Sequence, residues 1–166
     1  MTRGLALALA CLPLLASCGL KPVYAGGASG PVASALAQIS VAPIPDRAGW
    51  LVRNALVDRL PEGDRIVKYR LEVDLDDDIS GFGIRGDRSV TRERRTLRAR
   101  YRLVEAATGQ VLLDATAGSD AGIDVVSSPY ATVAAEQTAL ERLSTIVADQ
   151  IVARLALFTA RAPIER

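Results

Sequence analysis

Arginine occupies positions 92, 94, 98, 100 and 102 within the stretch Thr91 to Glu105, and Thr96 fills the gap in the row. In an extended strand side chains alternate between faces, and neighbours on one face lie about 6.6–6.8 Å apart. Arg92, Arg94, Arg98, Arg100 and Arg102 would therefore line one face, and guanidinium forks suit bidentate contacts with phosphates or carboxylates. Phosphorylated lipid is a natural partner for such a row. A second use of the same side chains is internal. Glu72, Asp74 and Asp76 form an acidic row on the preceding extended stretch, and if the two stretches are neighbours several arginines are already occupied. On that reading Arg92 and Arg94, toward the connecting turn, are left for a ligand.

Other chemistry is withheld. The chain has no histidine, which removes a Ser/His/Asp triad, a His-ligated metal and a His acid or base. Gly81-Phe82-Gly83-Ile84-Arg85-Gly86 matches G-x-G-x-x-G, but a second strand follows it where a dinucleotide site needs a helix N-terminus. Asp74, Asp76 and Asp78 imitate the first ligands of a calcium loop. Ile79 stands where the turn glycine is required and Arg85 where the bidentate glutamate is required, so that pattern fails. No metal or cofactor is expected.

The one reactive cysteine has a different use. Arg3 is followed by the apolar run Leu5 to Leu12 and then by Leu15-Ala16-Ser17-Cys18. This reads as an export signal, too short for the roughly 20 residues of a membrane-spanning helix. Small residues before Cys18 match a bacterial lipobox, in which the thiol takes a diacylglyceryl group and becomes the new N-terminus. Each buried acyl CH₂ contributes about 0.8 kcal/mol, so several chains hold a soluble domain at a membrane. Gly19, not Asp, follows the cysteine, which favours the outer membrane. Processing removes Cys11 with the leader, so no intramolecular disulfide forms, and loss of Arg3 levels the 20 basic residues with the 19 acidic ones. Stability must come from a core, and about 150 residues suffice to bury one.

The elements that position the arginine row follow from periodicity. Residues 1–17 are the signal, and 18–37, rich in Gly, Ala, Ser and Pro, are expected to be a flexible lipidated tether. One α+β domain is expected over 38–160, with 161–166 as a tail. Ile39 to Ala42 reads as a short strand closed by Pro43 and Pro45. Asp46 is placed to cap a helix through Leu60, with Trp50, Val52, Leu56 and Val57 on its apolar stripe. Tyr69, Leu71, Val73 and Leu75 alternate with polar residues, as do Leu97, Ala99, Tyr101 and Leu103. Ala107-Thr108-Gly109 turns the chain into a strand from Gln110 to Ala117, and Gly118 to Pro129 reads as a polar loop. Tyr130 to about Ala160 lacks Gly and Pro and carries Leu140, Leu143, Val147, Ile151 and Leu155 at helical spacing. The order β-α-β-β-β-α predicts a two-layer sandwich, two helices covering one face of a four-stranded sheet and the polar face left free.

Cys18-Gly19-Leu20-Lys21-Pro22-Val23-Tyr24 resembles the start of mature lipopolysaccharide-assembly lipoproteins of the LptE type, with Leu20 in place of the common Phe. Tyr69-Arg70-Leu71-Glu72-Val73 and Arg100-Tyr101-Arg102-Leu103-Val104 resemble that family's central strands, and the element order is similar over most of residues 18–158. The resemblance implies a non-enzymatic lipoprotein of the outer membrane. Such a protein plugs the lipopolysaccharide-export β-barrel LptD, assists its assembly and contacts lipopolysaccharide. It also implies Arg92 and Arg94 for ligand phosphates, with Arg98, Arg100 and Arg102 shared between barrel contacts and internal pairs. The alternative is an auxiliary lipoprotein of an ABC-type lipid transport system. Nucleic acid is not an expected partner of an exported lipoprotein with 4% aromatic residues.

Overall fold

A computed structural model of the chain describes residues 30–60, 66–84 and 90–161. The signal, Cys18, the Gly-rich part of the tether, the tip residues Arg85 and Gly86 and the 162–166 tail lie outside the described residues. In chain order the elements are α1 (Pro31–Leu36), β1 (Ile39–Val41), α2 (Asp46–Val57), β2 (Tyr69–Ile84), β3 (Val90–Glu105), β4 (Val111–Asp124) and α3 (Pro129–Arg161). The sheet runs β1-β2-β3-β4. It is mixed: β1 lies parallel to β2, joined through α2, and β2, β3 and β4 form an antiparallel meander. The expected α+β arrangement with helices on a four-stranded sheet is the one observed, with a third, short helix added.

The alternating pattern of β2 and β3 sets the core. Leu71, Val73, Leu97, Ala99, Tyr101 and Leu103 point inward and are buried, meeting Val52 and Leu56 of α2 and Leu143, Val147, Ile151 and Leu155 of α3. Full burial of each Leu, Ile or Val side chain among these contributes about 1.5–3 kcal/mol. A stretch of α3 is long and apolar enough to cross a membrane, yet 50% of that window is buried inside the domain, as a core helix requires. Residues 76–83 of β2 and the first residues of β3 run on past this core, so the ribbon ends in an arm with few buried side chains.

Four expectations are corrected. The tether does not extend to residue 37: Pro31–Leu36 is helical, and Val32, Ala33 and Leu36 bury themselves, Val32 and Leu36 in the central core. Trp50 is 62% exposed and Val57 also faces solvent, because α2 buries Ala48, Gly49, Val52 and Leu56 instead. Trp50, two residues before Val52, sits about 200° around the helix from it. Asp46 makes no capping hydrogen bond, and its backbone is left-handed at φ 67°. Gly49 is required there: a Cβ would lie 2.6 Å from the Ile44 carbonyl oxygen where α2 meets the proline segment. Finally, Gly118 to Asp124 is not loop but the second half of β4, paired through to Arg92↔Asp124.

A charged lattice on the outer sheet face

The residues of β3 that do not face the core form the predicted row. Arg92, Arg94, Arg98, Arg100 and Arg102 are brought together on the outer face, with Arg98 and Arg100 more exposed than Arg102. Their register partners on β2 are Glu72 for Arg102, Asp74 for Arg100 and Asp76 for Arg98, so the acidic row does lie alongside. A second acidic row was not anticipated. β4 supplies Asp114, Asp120 and Asp124 on the other flank, visible only once β4 reaches Asp124.

The pairs run mostly toward β4. Arg100 grips Asp114 with both ends of its fork, Nε to Oδ1 at 3.1 Å and Nη2 to Oδ2 at 2.7 Å. That contact holds the Asp114 carboxyl below its ordinary range and raises the Arg100 guanidinium. Arg92 meets Asp124 at 3.2 Å and Arg94 meets Asp120 at 3.8 Å. Arg94 also lies over the Phe82 ring, 5.3 Å from its centroid, a cation–π contact on the same face. Arg102 turns the other way, to Glu72 at 3.4 Å and Asp74 at 3.7 Å.

Arg98 differs from its neighbours. Among the described residues it makes no ion pair and no side-chain hydrogen bond, although Asp76 is its register partner. Across the strand stands Gly118, whose missing side chain leaves room: a Cβ there would sit 3.3 Å from Arg98 Cγ. The result is an open depression of about 490 Å³, bordered by Asp74, Asp76, Arg98, Arg100 and Thr116. The free guanidinium is therefore in the middle of the row and not at Arg92 and Arg94, which already hold carboxylates. Those pairs are solvent-exposed and worth about 0–1 kcal/mol each, so they are readily exchanged.

Sequence reasoning passed over Arg95. Alternation sends it inward, where a charge must be paired, and Asp77 receives it at 2.8 Å and 2.6 Å in a fork-to-fork contact. Its third nitrogen donates to the Glu136 carbonyl of α3 at 3.0 Å, which raises this group's function to a clasp between sheet and helix. The Asp77 hydrogen bond shifts the Arg95 guanidinium upward. The readable signal was the Arg94-Arg95 doublet, which breaks the alternation of charge. Among the described residues no cluster of His, Cys, Asp and Glu is placed to hold a metal ion.

The architecture recurs in solved structures. A lipoprotein B from Shewanella oneidensis, described as rare lipoprotein B, shares 12% identity at a TM-score of 0.54, covering 74% of this chain and 95% of that one. Lipoprotein B from Nitrosomonas europaea shares 13% at 0.56, covering 74% and 82%. A protein described as a lipoprotein from Caulobacter crescentus CB15 shares 25% identity at a TM-score of 0.65, covering 80% of this chain and 97% of its own. No curated protein matches the sequence. The fold is thus that of small α+β lipoprotein domains. The LptE family, lipopolysaccharide-assembly, matches residues 36–155, most of the folded domain, and the chain belongs to that family.

Proposed function

We propose that this protein is an outer-membrane lipoprotein, anchored by acyl chains on Cys18, that assists assembly of an LptD-type β-barrel and plugs it. In this role it contacts lipopolysaccharide on the way to the outer leaflet, and it binds without turning a substrate over. The observation that carries the reading is membership of the lipopolysaccharide-assembly family across the domain. The fold agrees with it. A two-layer domain with its apolar face spent on helices offers a wide polar face, suited to the polar interior of a large barrel. On that face Arg98 is the open phosphate site, and Arg92, Arg94, Arg100 and Arg102 join it by exchanging carboxylate for phosphate.

Depletion of the protein tests the role. Surface lipopolysaccharide and the mature form of the barrel should both fall, and the barrel should co-purify with the full-length lipoprotein from solubilised envelopes. Normal surface lipopolysaccharide after depletion contradicts the reading, as does co-purification of an ABC transporter component in place of a barrel.

A further inference from the structure

β4 is an edge strand of the sheet, and among the described residues no strand pairs with its open side. In an antiparallel ladder the backbone groups of successive residues point alternately to the two neighbours. Val125, directly after β4, donates its N–H to Thr91, so the odd-numbered residues serve β3 and the even-numbered ones face outward. Gly118 shows this directly. Its N–H donates to Gln150 Oε1 at 3.0 Å and its C=O accepts from Gln150 Nε2 at 3.3 Å. A carboxamide bound to both groups of one residue makes the same pair of bonds that an added strand makes. Thr116, Asp120 and Gly122 share that outward orientation by the same alternation.

Edge strands are commonly protected by shortness, proline, lysine or a bulge. β4 spans 14 residues without Pro or Lys; its one register shift against β3 falls at its start, between Leu103 and Val104, and the pairing is regular from Leu113 to Asp124. Its acids are turned onto Arg92, Arg94 and Arg100 on the outer face. Beside the edge, Ala115 and Ala117 leave a groove of about 480 Å³ against α3, with Gln150 and Arg154 along its wall. Arg154 lies one turn from Gln150, exposed and without an ion pair among the described residues.

We propose that the open edge of β4 adds an extended segment of a partner protein, which displaces the Gln150 amide, pairs with Thr116, Gly118 and Asp120, and sets an acidic side chain on Arg154. A second copy of this chain fits less well. The inward-facing residues of its own β4 are Ala115, Ala117, Ser119 and Ala121, and offer Arg154 no carboxylate.

The test places a photoreactive residue at position 116 of the full lipidated chain in growing cells and sequences the captured peptides. One partner segment containing Asp or Glu is expected. Capture should fall at least tenfold in Asp120→Pro, which removes an outward N–H and leaves the ladder to β3 intact, and in the surface variant Arg154→Glu. It should rise severalfold in Gln150→Ala. Thermal melting checks that each variant is folded, and Arg154→Glu reads the contact without altering the strand. The proposal is overturned by capture that persists in Asp120→Pro and Arg154→Glu, by no rise in Gln150→Ala, by cross-links between two copies of this chain, or by capture of no polypeptide.

Discussion

On one face of β3, Leu97, Ala99, Tyr101 and Leu103 are buried among aliphatic side chains of α2 and α3. On the other, Arg98, Arg100 and Arg102 stand in or near solvent among carboxylates of β2 and β4. The same fifteen-odd residues thus serve two kinds of energetics. Burial on the inner face is strong and non-directional, about 25 cal/mol per Å² of apolar area. Ion pairs on the outer face are individually weak and readily exchanged. A face held together weakly can be opened by a ligand without loosening the domain, because the domain does not depend on it.

The sharpest way to break this division is from the inner side. Leu103→Ala should lower stability by about 2–5 kcal/mol through lost burial and the cavity left behind, read as a fall in the denaturant midpoint. Arg95→Ala comes next. It leaves Asp77 without its fork and frees the Glu136 carbonyl, at a cost of about 1.5–3 kcal/mol. The paired change Arg95→Met with Asp77→Leu should recover much of that loss, since an apolar pair of similar volume replaces the ion pair. A recovery of nothing would show that the clasp, and not merely its pairing, holds α3 to the sheet.

Ser144 tests the inner side in the opposite direction. It is 1% exposed in α3, and its hydroxyl has no hydrogen-bond partner. Ser144→Ala should therefore be neutral or stabilising by up to about 1 kcal/mol in thermal melting. Outer-face changes should be smaller still. Arg100→Gln should leave the thermal midpoint unchanged within the error of the melt. In an NMR titration the Asp114 carboxyl should lie below the ordinary Asp value and rise in that variant, which removes the Arg100 hydrogen bond that lowers it most. Because the folded-state value is depressed, its small contribution is present above the unfolded Asp value and is lost as pH falls through the folded one.

What the sequence disclosed follows the contrast between the faces. β2 and β3 alternate large apolar residues with charges, so period two was unmistakable, and Leu140 to Leu155 marked α3 equally well. The stretch Gly118-Ser119-Asp120-Ala121-Gly122 of β4 has no large side chain and weak strand propensity. It is a strand because β3 offers it a ladder, which only tertiary structure reveals. α1 was hidden for a similar reason: a Gly- and Pro-rich composition masked Val32 and Leu36, which become helical on contact with the core. The arginine row itself was legible, as was its pairing with carboxylates. The acids of β4 were not, and with them went the identity of the free arginine.

The central claim is that the outer row recognises lipopolysaccharide phosphates while contributing little to the fold. The direct measurement is lipopolysaccharide affinity of the folded triple variant Arg92→Glu, Arg94→Glu, Arg98→Glu against the unaltered protein. A fall of tenfold or more with a thermal midpoint changed by only a few degrees is the expected result. Unchanged affinity in the folded variant would contradict the claim.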